Sequence, residues 1–314
     1  LNNKMEKISI VVPVFNAIDT LDELIKDLKT NILMISTNFE IILVDDFSGD
    51  NSWEKIKDLA KNDKNIVGIK LSKNYGLDIA VTAGIEKSNG DFVCISFCDL
   101  QDPLDKLPEM YKMLKDNKSI DIVSSYFTNR HSESFFNKLF SKVYWKIFSF
   151  FIKSHYPEEE GLFRIITRKA ANFYLQHNKT FKHIKILNDT GLKKIHFKME
   201  ENLRIKGKSG FTLKKKLEFA VDYLTSYSYR PLLYTSFLGF IVSFLSSILT
   251  IAAVFFKIFG IIQVPGWTSL FAIISFFFSL LFFNLAVIAV YLSKNIEESE
   301  NSPLYFIDEH INYK

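Results

Sequence analysis

Two long apolar segments near the C-terminal end constrain the fold more than any other feature of the sequence. No Asp, Glu, Lys or Arg occurs between Arg230 and Lys257, or between Lys257 and Lys294. Each gap exceeds the roughly 20 apolar residues that a helix needs to cross a bilayer. We therefore predict two transmembrane helices within residues 231–293, with a buried helical hairpin as the alternative.

Basic residues flank the predicted spans on one side. Lysines at 214–216 and Arg230 precede the first span, and Lys294 follows the second. Because cytoplasmic flanks carry the excess of Lys and Arg, both termini are predicted to lie in the cytosol. Residues 1–7 lead into a strand-like run without a small-residue cleavage site, so we expect no signal peptide. The prediction is a multi-pass membrane protein with a cytosolic amino-terminal domain.

The amino-terminal domain alternates strand-like and helix-like patterns. Continuous apolar runs at Ile8–Phe15, Ile41–Val44 and Phe92–Phe97 are separated by segments with helical periodicity, such as Thr20–Leu28. Strands read as continuous apolar runs when helices cover both faces of a parallel sheet. We therefore predict an α/β domain with a mostly parallel sheet and helices on both faces.

Two segments have the amphipathic pattern of helices that lie on a membrane surface. In Phe135–Lys153 four lysines share one face, and aromatic and aliphatic residues cover the other. Leu213–Leu224 repeats the pattern, and a helix docked on the soluble core is the alternative for both. The predicted domains are residues 1–211 with the interfacial helix 135–153, a juxtamembrane helix 212–230, two spans at 231–293 and a cytosolic tail 294–314.

The charge and the cysteines exclude two classes of site. The net charge of +4 is largely explained by the lysines that flank the spans, which favours an anionic membrane surface and not nucleic acid. Cys94 and Cys98 are the only cysteines. We predict that they form a buried reduced pair and not a disulfide or metal site.

Polar residues follow the first two predicted strands. Pro13 and Asn16 end the first strand, and Asp45, Asp46 and Ser48 end the second. Ligands of open α/β sheets bind at the carboxyl ends of the strands, where a nucleotide needs acceptors and donors for its base and ribose. An Asp-Asp turn can also simply cap the following helix, so these residues alone do not identify a site.

A third polar group follows the run Phe92–Phe97. Asp99, Gln101 and Asp102 offer the oxygen ligands that Mg²⁺ or Mn²⁺ prefers, and such a cation neutralises the departing diphosphate of a sugar nucleotide. The alternative is that Asp102 and Pro103 only start the next helix. That alternative does not account for Asp99 or Gln101.

The combined motifs resemble those of family-2 glycosyltransferases of the polyprenyl-phosphate branch, which includes dolichol-phosphate mannose synthases and bactoprenol glucosyltransferases. Together they extend over nearly the whole chain. The motifs are Ile10–Asn16, Val44–Ser48, Lys73–Gly76, Thr82–Gly84, Asp99–Pro103, Pro157–Arg168, Gly207–Leu213 and Pro265–Ser269.

The resemblance implies a GT-A-type fold and an inverting transfer of one sugar from a nucleotide-sugar donor to undecaprenyl phosphate or a similar lipid. It implies the cytosolic face of the inner membrane as the place of reaction, and a homo-oligomer. By matching position, Asp99 and Gln101 would hold Mg²⁺ or Mn²⁺ on the donor's diphosphate. The residues implied at the donor are Pro13, Asn16, Asp45, Asp46, Ser48, Asn74, Gly76 and Asp99.

The same resemblance implies the residues that act on the acceptor. Arginine suits an acceptor phosphate because its planar fork matches the phosphate oxygens. The catalytic residues implied are Asp99, Asp102 and Arg164. The residues implied at the acceptor phosphate are Arg130, Lys138, Arg164 and Arg168.

Two acids usual in the family are absent. Phe97 replaces the first acid of Asp-x-Asp, and Leu162 replaces the acid of Gly-Asp-Phe-Arg. A lipid phosphomonoester has a second pKa of about 6 and needs no base near neutral pH, and Glu160 is a candidate substitute for the acid. The alternative is a catalytically silent, membrane-tethered binding or scaffolding subunit. A processive synthase is disfavoured because none of the three tryptophans follows an arginine.

Overall fold

The computed structural model describes residues 6–128, 160–176, 183–200, 202, 230–259, 266–299 and 303–313. The chain divides into two compact units. The first contains residues 1–145, 154–210 and 303–314, and the second contains residues 146–153 and 211–302.

The described part of the first unit is built on an eight-stranded sheet with the order β7-β5-β6-β4-β1-β2-β3-β8. The strands β1 to β5 and β7 run in one direction, and β6 and β8 run against them. The predicted mostly parallel sheet is therefore confirmed. The strands are β1 (Ile8–Val14), β2 (Phe39–Asp45), β3 (Ile66–Leu71), β4 (Phe92–Ile95), β5 (Ile122–Phe127), β6 (Glu160–Thr167), β7 (Lys194–Met199) and β8 (Ile307–Ile311).

Helices cover both faces of this sheet. All residues of β1 and β2 are buried, which explains their continuous apolar sequence. The helices are α1 (Leu21–Ile32), α2 (Ser52–Asn62), α3 (Leu77–Lys87), α4 (Leu107–Asp116) and α5 (Arg168–Gln176), with 3₁₀ turns at Leu104–Lys106 and Ile184–Asp189. Ile10 points into the core formed with α1, α2 and α4, whereas Val11 points to α3, where a Cβ on Gly84 would lie 2.2 Å from Val11 Cγ1.

The predicted C-terminal tail contains a strand. Residues 307–311 form β8, which pairs antiparallel with β3 at the edge of the sheet. The sequence does not predict this strand, because its centre, Asp308 to His310, is polar and exposed and shows no apolar alternation. The chain therefore returns to the first unit after passing through the second.

The described part of the second unit consists of two long helices, α6 (Arg230–Ile258) and α7 (Trp267–Ser299). They approach each other at Gly239, where an added Cβ would lie 3.5 Å from Asn284 Nδ2. One segment among the described residues, Phe276–Ser293, is long and apolar enough to cross a membrane, and none of it is buried. The predicted number of two spans is thus not confirmed. The predicted interfacial helices, 135–153 and 213–224, lie outside the described residues.

Candidate active site

Backbone strain marks one edge of the sheet. The strands β1, β2 and β4 are parallel, so their carboxyl ends lie at the same edge. Of the four described non-glycine residues with a positive φ, Asn16 (50°), Phe47 (59°) and Leu100 (60°) follow these three strands. A left-handed backbone costs an L-residue roughly 1–2 kcal/mol, and such strain concentrates at functional sites. Open α/β sheets also bind ligands here, so this edge is the candidate active site.

Asp45 provides a buried acceptor at this edge. Its side chain is at the end of β2 and has no exposed surface. Oδ2 accepts a hydrogen bond from the Ser48 backbone N–H at 3.3 Å, whereas Oδ1 has no hydrogen-bond partner within the described part of the chain. Burial raises the pKa of this carboxyl, and the bonds from Ser48 oppose the shift. A buried oxygen without a donor is costly, so Asp45 Oδ1 is a candidate ligand contact.

Asp46 holds a loop in place. It is 4% exposed, and its oxygens accept the backbone N–H groups of Tyr75 at 2.7 Å and Gly76 at 2.8 Å. The Asn74 side chain donates to the Asp46 carbonyl oxygen at 3.2 Å. Burial raises the pKa of Asp46 to about 6, against the two backbone bonds. Asp46 and Asn74 therefore position the loop Ser72–Gly76, which leads into α3.

Asn16 and Ser48 connect two loops at the same edge. Asn16 Oδ1 accepts the backbone N–H groups of Gly49 at 2.7 Å and Asp50 at 3.3 Å, and Asn16 N donates to Ser48 Oγ at 3.0 Å. Asp50 Oδ1 also accepts the N–H of Ser52 at the start of α2. Asp50 thus satisfies one backbone N–H at the start of α2, whose N-cap residue is Asn51. Pro13 is buried inside β1, where it is paired with Val44.

The turn after β4 carries the candidate metal ligands. Asp102 Oδ2 accepts hydrogen bonds from Ser96 Oγ at 3.0 Å and Phe97 N at 2.9 Å, so this buried carboxylate closes the turn. Asp99 and Gln101 are only partly buried, and Gln101 N donates to Asp99 Oδ1 at 3.3 Å. Asp99, Gln101 and Asp102 thus lie on one turn, and the hydrogen bonds of Asp102 hold that turn in place.

The oxygen ligands on this turn fit a divalent cation that a substrate also binds. The described residues contain no group of three or more His, Cys, Asp or Glu side chains that would hold a metal alone. Mg²⁺ is commonly bound by one or two carboxylates plus substrate phosphates, and it keeps several waters. Asp99 and Gln101 supply one carboxylate and one amide oxygen on an accessible turn. They are suited to a metal that a diphosphate completes.

Arg164 and Glu160, predicted to act on the acceptor, are both buried. Arg164 lies in β6 opposite Ile95, at the active-site end of β4, and is 0% exposed. Its guanidinium donates to the carbonyl oxygens of Gly161 at 2.9 Å and Leu162 at 3.2 Å and lies 3.6 Å from Glu160 Oε1. Glu160 Oε2 lies 2.9 Å from Lys194 Nζ. In this structure the two charges form a buried ion cluster with Lys194, and the acceptor-phosphate role of Arg164 and the role of Glu160 as a substitute acid stay predictions.

The remaining predicted acceptor residues are not brought to this edge. Arg168 donates to the carbonyl oxygen of Gly90 at 2.7 Å and to Ser88 Oγ at 3.1 Å, just before β4 begins. It therefore lies at the opposite edge of the sheet, and we exclude it from the acceptor site. Arg130 and Lys138 lie outside the described residues.

The cysteines are not reactive groups of this site. Cys94 is buried, Cys98 is partly buried, and both are free thiols. Burial raises the pKa of Cys98 to about 11, so its thiol stays protonated at neutral pH.

A comparison with known proteins now identifies the family. The model of glycosyl transferase family 2 matches residues 9–175, more than half of the 314 residues. The chain belongs to glycosyl transferase family 2. The family predicted from the motifs, and the enzyme class that it implies, are thereby confirmed.

Several family members are similar to this glycosyltransferase over nearly their whole length. An uncharacterized glycosyltransferase, YkcC, of Bacillus subtilis (strain 168) is 28% identical over 302 residues, covering 96% of this chain and 93% of its own. The undecaprenyl-phosphate 4-deoxy-4-formamido-L-arabinose transferase of Proteus mirabilis (strain HI4320) is 27% identical over 315 residues, covering 99% and 96%. Among solved structures, glucosyl-3-phosphoglycerate synthase from Mycobacterium tuberculosis in complex with UDP is 16% identical, with a TM-score of 0.45 over 71% of this chain and 79% of that chain.

Proposed function

We propose that this family 2 glycosyltransferase transfers one sugar, with inversion, from a nucleotide-sugar donor to undecaprenyl phosphate or a similar polyprenyl phosphate at the cytosolic membrane face. The observation that carries the donor half is the buried Asp45 Oδ1, which has no partner in the described residues at the strained edge of the sheet. The acceptor half rests on the Proteus mirabilis relative, which is named as an undecaprenyl-phosphate transferase and aligns with 99% of this chain.

The donor's nucleoside fits against Asp45. Sugar nucleotides carry base N–H and ribose O–H groups, and either supplies the hydrogen bond that Asp45 Oδ1 lacks within the described residues. Leaving such a buried acceptor unpaired costs about 1–3 kcal/mol, which a bound nucleoside recovers. The loops that Asn16, Asp46 and Ser48 hold in place form the surroundings of this contact.

The diphosphate of the donor fits the turn after β4. Asp99 and Gln101 would hold Mg²⁺ or Mn²⁺ there, and such a cation stabilises the negative charge on the departing diphosphate. Asp102 keeps the turn closed through Ser96 and Phe97. The panel of donors and the choice of Mg²⁺ or Mn²⁺ in the transfer assay test which sugar and which metal are used.

The acceptor needs no general base in this scheme. Its phosphate is largely dianionic near neutral pH, because the second pKa of a phosphomonoester is about 6. The missing acid at Leu162 and the burial of Glu160 are consistent with such a nucleophile. The protein then contributes positioning and electrostatic stabilisation.

Sheet topology supports two membrane crossings. If α7 crosses the membrane at Phe276–Ser293, β8 still has to return to the sheet that holds β1 to β7. The chain must therefore cross an even number of times between β7 and β8. The helix α6, whose residues 231–256 carry no charge, is the described segment that supplies the second crossing. We propose a multi-pass protein with both ends in the cytosol; a homo-oligomer stays a prediction.

Transfer by the purified protein tests the proposal. The protein is incubated with a panel of uridine and guanosine diphosphate sugars, undecaprenyl phosphate and Mg²⁺ or Mn²⁺, and release of the nucleoside diphosphate is measured together with the glycolipid. We expect both products in equal amounts with at least one donor. No release with any donor would support the second candidate, a silent binding subunit, which is favoured by Phe97 and Leu162 in place of two acids.

A further inference from the structure

The C-terminal segment, residues 305–311, contacts the loop Ser72–Gly76 directly. The backbone N–H of Ser72 donates to the Phe306 carbonyl oxygen at 3.0 Å, and the backbone N–H of Phe306 donates to Tyr75 Oη at 3.2 Å. Tyr75 Oη also lies 3.0 Å from Ser72 Oγ. Residues 75 and 306 are 231 positions apart in sequence, so only the fold brings them together.

Tyr75 connects this segment to the candidate donor site. Its hydroxyl is bonded to Phe306, while its backbone N–H donates to Asp46 Oδ1 at 2.7 Å. Asp46 is the neighbour of Asp45, the carboxylate with the open acceptor. Tyr75 therefore joins the C-terminal segment to Asp46, with its hydroxyl bonded on one side and its backbone N–H on the other.

The C-terminal segment is itself firmly attached to the first unit. Trp53 Nε1 donates to Glu309 Oε2 at 3.1 Å, and Lys70 Nζ lies 3.1 Å from Asp308 Oδ2. At its start, Tyr305 Oη donates to Glu86 Oε2 at 3.0 Å. Just after the segment, the Asn312 side chain donates to the backbone carbonyl oxygens of Ala60 and Ile66. The segment is thus anchored on both sides of its contact with Tyr75.

We propose that Tyr75 is a positioning residue of the donor site and that the C-terminal segment 305–311 is the element that holds it. This inference rests on the proposed function, because it assigns the held loop to the binding of a nucleotide sugar. Binding pays for the ordering of loops and side chains at a site. A loop already held by Asp46 on one side and Phe306 on the other avoids that cost.

Two substitutions remove the hydrogen bond between the Phe306 N–H and Tyr75 Oη from opposite ends, and Tyr75→Phe also removes the contact of that hydroxyl with Ser72 Oγ. Tyr75→Phe deletes the hydroxyl and keeps the ring, and Phe306→Pro deletes the backbone N–H. The Phe306 side chain is 59% exposed, so Phe306→Ala, which retains the N–H, is the control for the loss of the aromatic ring. Tyr313→Phe is the matched control for hydroxyl removal, since it is a tyrosine of the same C-terminal region whose ring packs on His310.

The readouts are the Kd of UDP or GDP, whichever stabilises the wild type, and amide hydrogen exchange of residues 72–76. We expect Tyr75→Phe and Phe306→Pro each to raise that Kd about fivefold, the value of one ordinary hydrogen bond, and to speed exchange at residues 75 and 76. The double variant should bind as Tyr75→Phe does, because Tyr75→Phe has already lost the bond that Phe306→Pro removes. Tyr313→Phe should bind as the wild type does.

Two results overturn the inference in distinguishable ways. A wild type that binds nucleotide, with Tyr75→Phe binding equally well, refutes the positioning role alone, even if exchange of the loop is faster. A wild type that binds no nucleoside diphosphate refutes the proposed function and the inference together. Additive effects in the double variant would also refute it, since they require two independent contacts.

Discussion

The ionisation of Asp46 predicts how donor binding depends on pH. Its carboxylate accepts two backbone N–H groups from the loop Ser72–Gly76, and protonation removes part of that acceptor capacity. Burial raises the pKa to about 6. The carboxyl is therefore mostly ionised at pH 7 and mostly protonated at pH 5, and the loop is fully held only in the ionised form.

The magnitude follows from the ionised fraction. With a pKa of about 6, that fraction falls about tenfold between pH 7 and pH 5, and the apparent Kd rises by the same factor when only the ionised form binds. Stability changes in the opposite sense. Because the folded pKa exceeds its ordinary value of 3.8, ionisation costs stability as the pH rises from about 4 to about 6, by up to about 1.4 kcal/mol per pH unit.

Calorimetric titration with the functional nucleotide sugar between pH 8 and pH 5 measures this effect. The phosphates of a nucleotide sugar remain ionised across this range, unlike the terminal phosphate of a free nucleoside diphosphate. We expect the wild-type Kd to rise about tenfold as the pH falls from 7 to 5, and Asp46→Asn to bind weakly with little pH dependence. A wild-type Kd that is constant over this range would refute the reasoning. An equal pH dependence in Asp46→Asn would assign it to another group, such as Asp45, whose pKa is also raised.

Three further substitutions test separate parts of the structure. Asp99→Asn should abolish sugar transfer, while Asp105→Asn, which changes an exposed carboxylate paired with Lys106, should retain it; equal activity of the two proteins would contradict the metal assignment. Glu160→Gln leaves the buried Arg164 without its ion partner and should lower the free energy of unfolding by about 3–5 kcal/mol, so an unchanged melting temperature would argue against the buried cluster. Gly84→Ala places a Cβ 2.2 Å from Val11 Cγ1 and should cost about 1–3 kcal/mol through overpacking, measured by thermal unfolding.

Local pattern was sufficient to predict the sheet. Each residue of Ile8–Val14 and Phe39–Asp45 is buried, and burial on both faces leaves a continuous apolar run that any reader of the sequence can recognise. The same reasoning placed Asp45 and Asp99 at one edge, because parallel strands end together. The absence of charge in residues 231–256 likewise predicted the long helix α6.

The sequence could not assign roles to neighbouring carboxylates. Asp45 and Asp46 are adjacent and chemically identical, yet both oxygens of Asp46 accept backbone N–H groups, while one oxygen of Asp45 has no partner in the described residues. Arg164 matched a family motif for the acceptor but is buried beside Glu160. For Asp46 the partners that decide the role come from a different loop, and for Arg164 they come from its own strand, β6, where Glu160 is in turn paired with Lys194 of β7.

The sequence by itself determined the buried strands β1, β2 and β4, the helix after β1 and the edge of the sheet that collects polar residues, because those properties follow from the local period of apolar residues. Only the tertiary structure decided that β8 completes the sheet and that Phe306 is bonded to Tyr75. Hydrogen bonds between distant segments depend on where the chain returns in space, and no local pattern records that position.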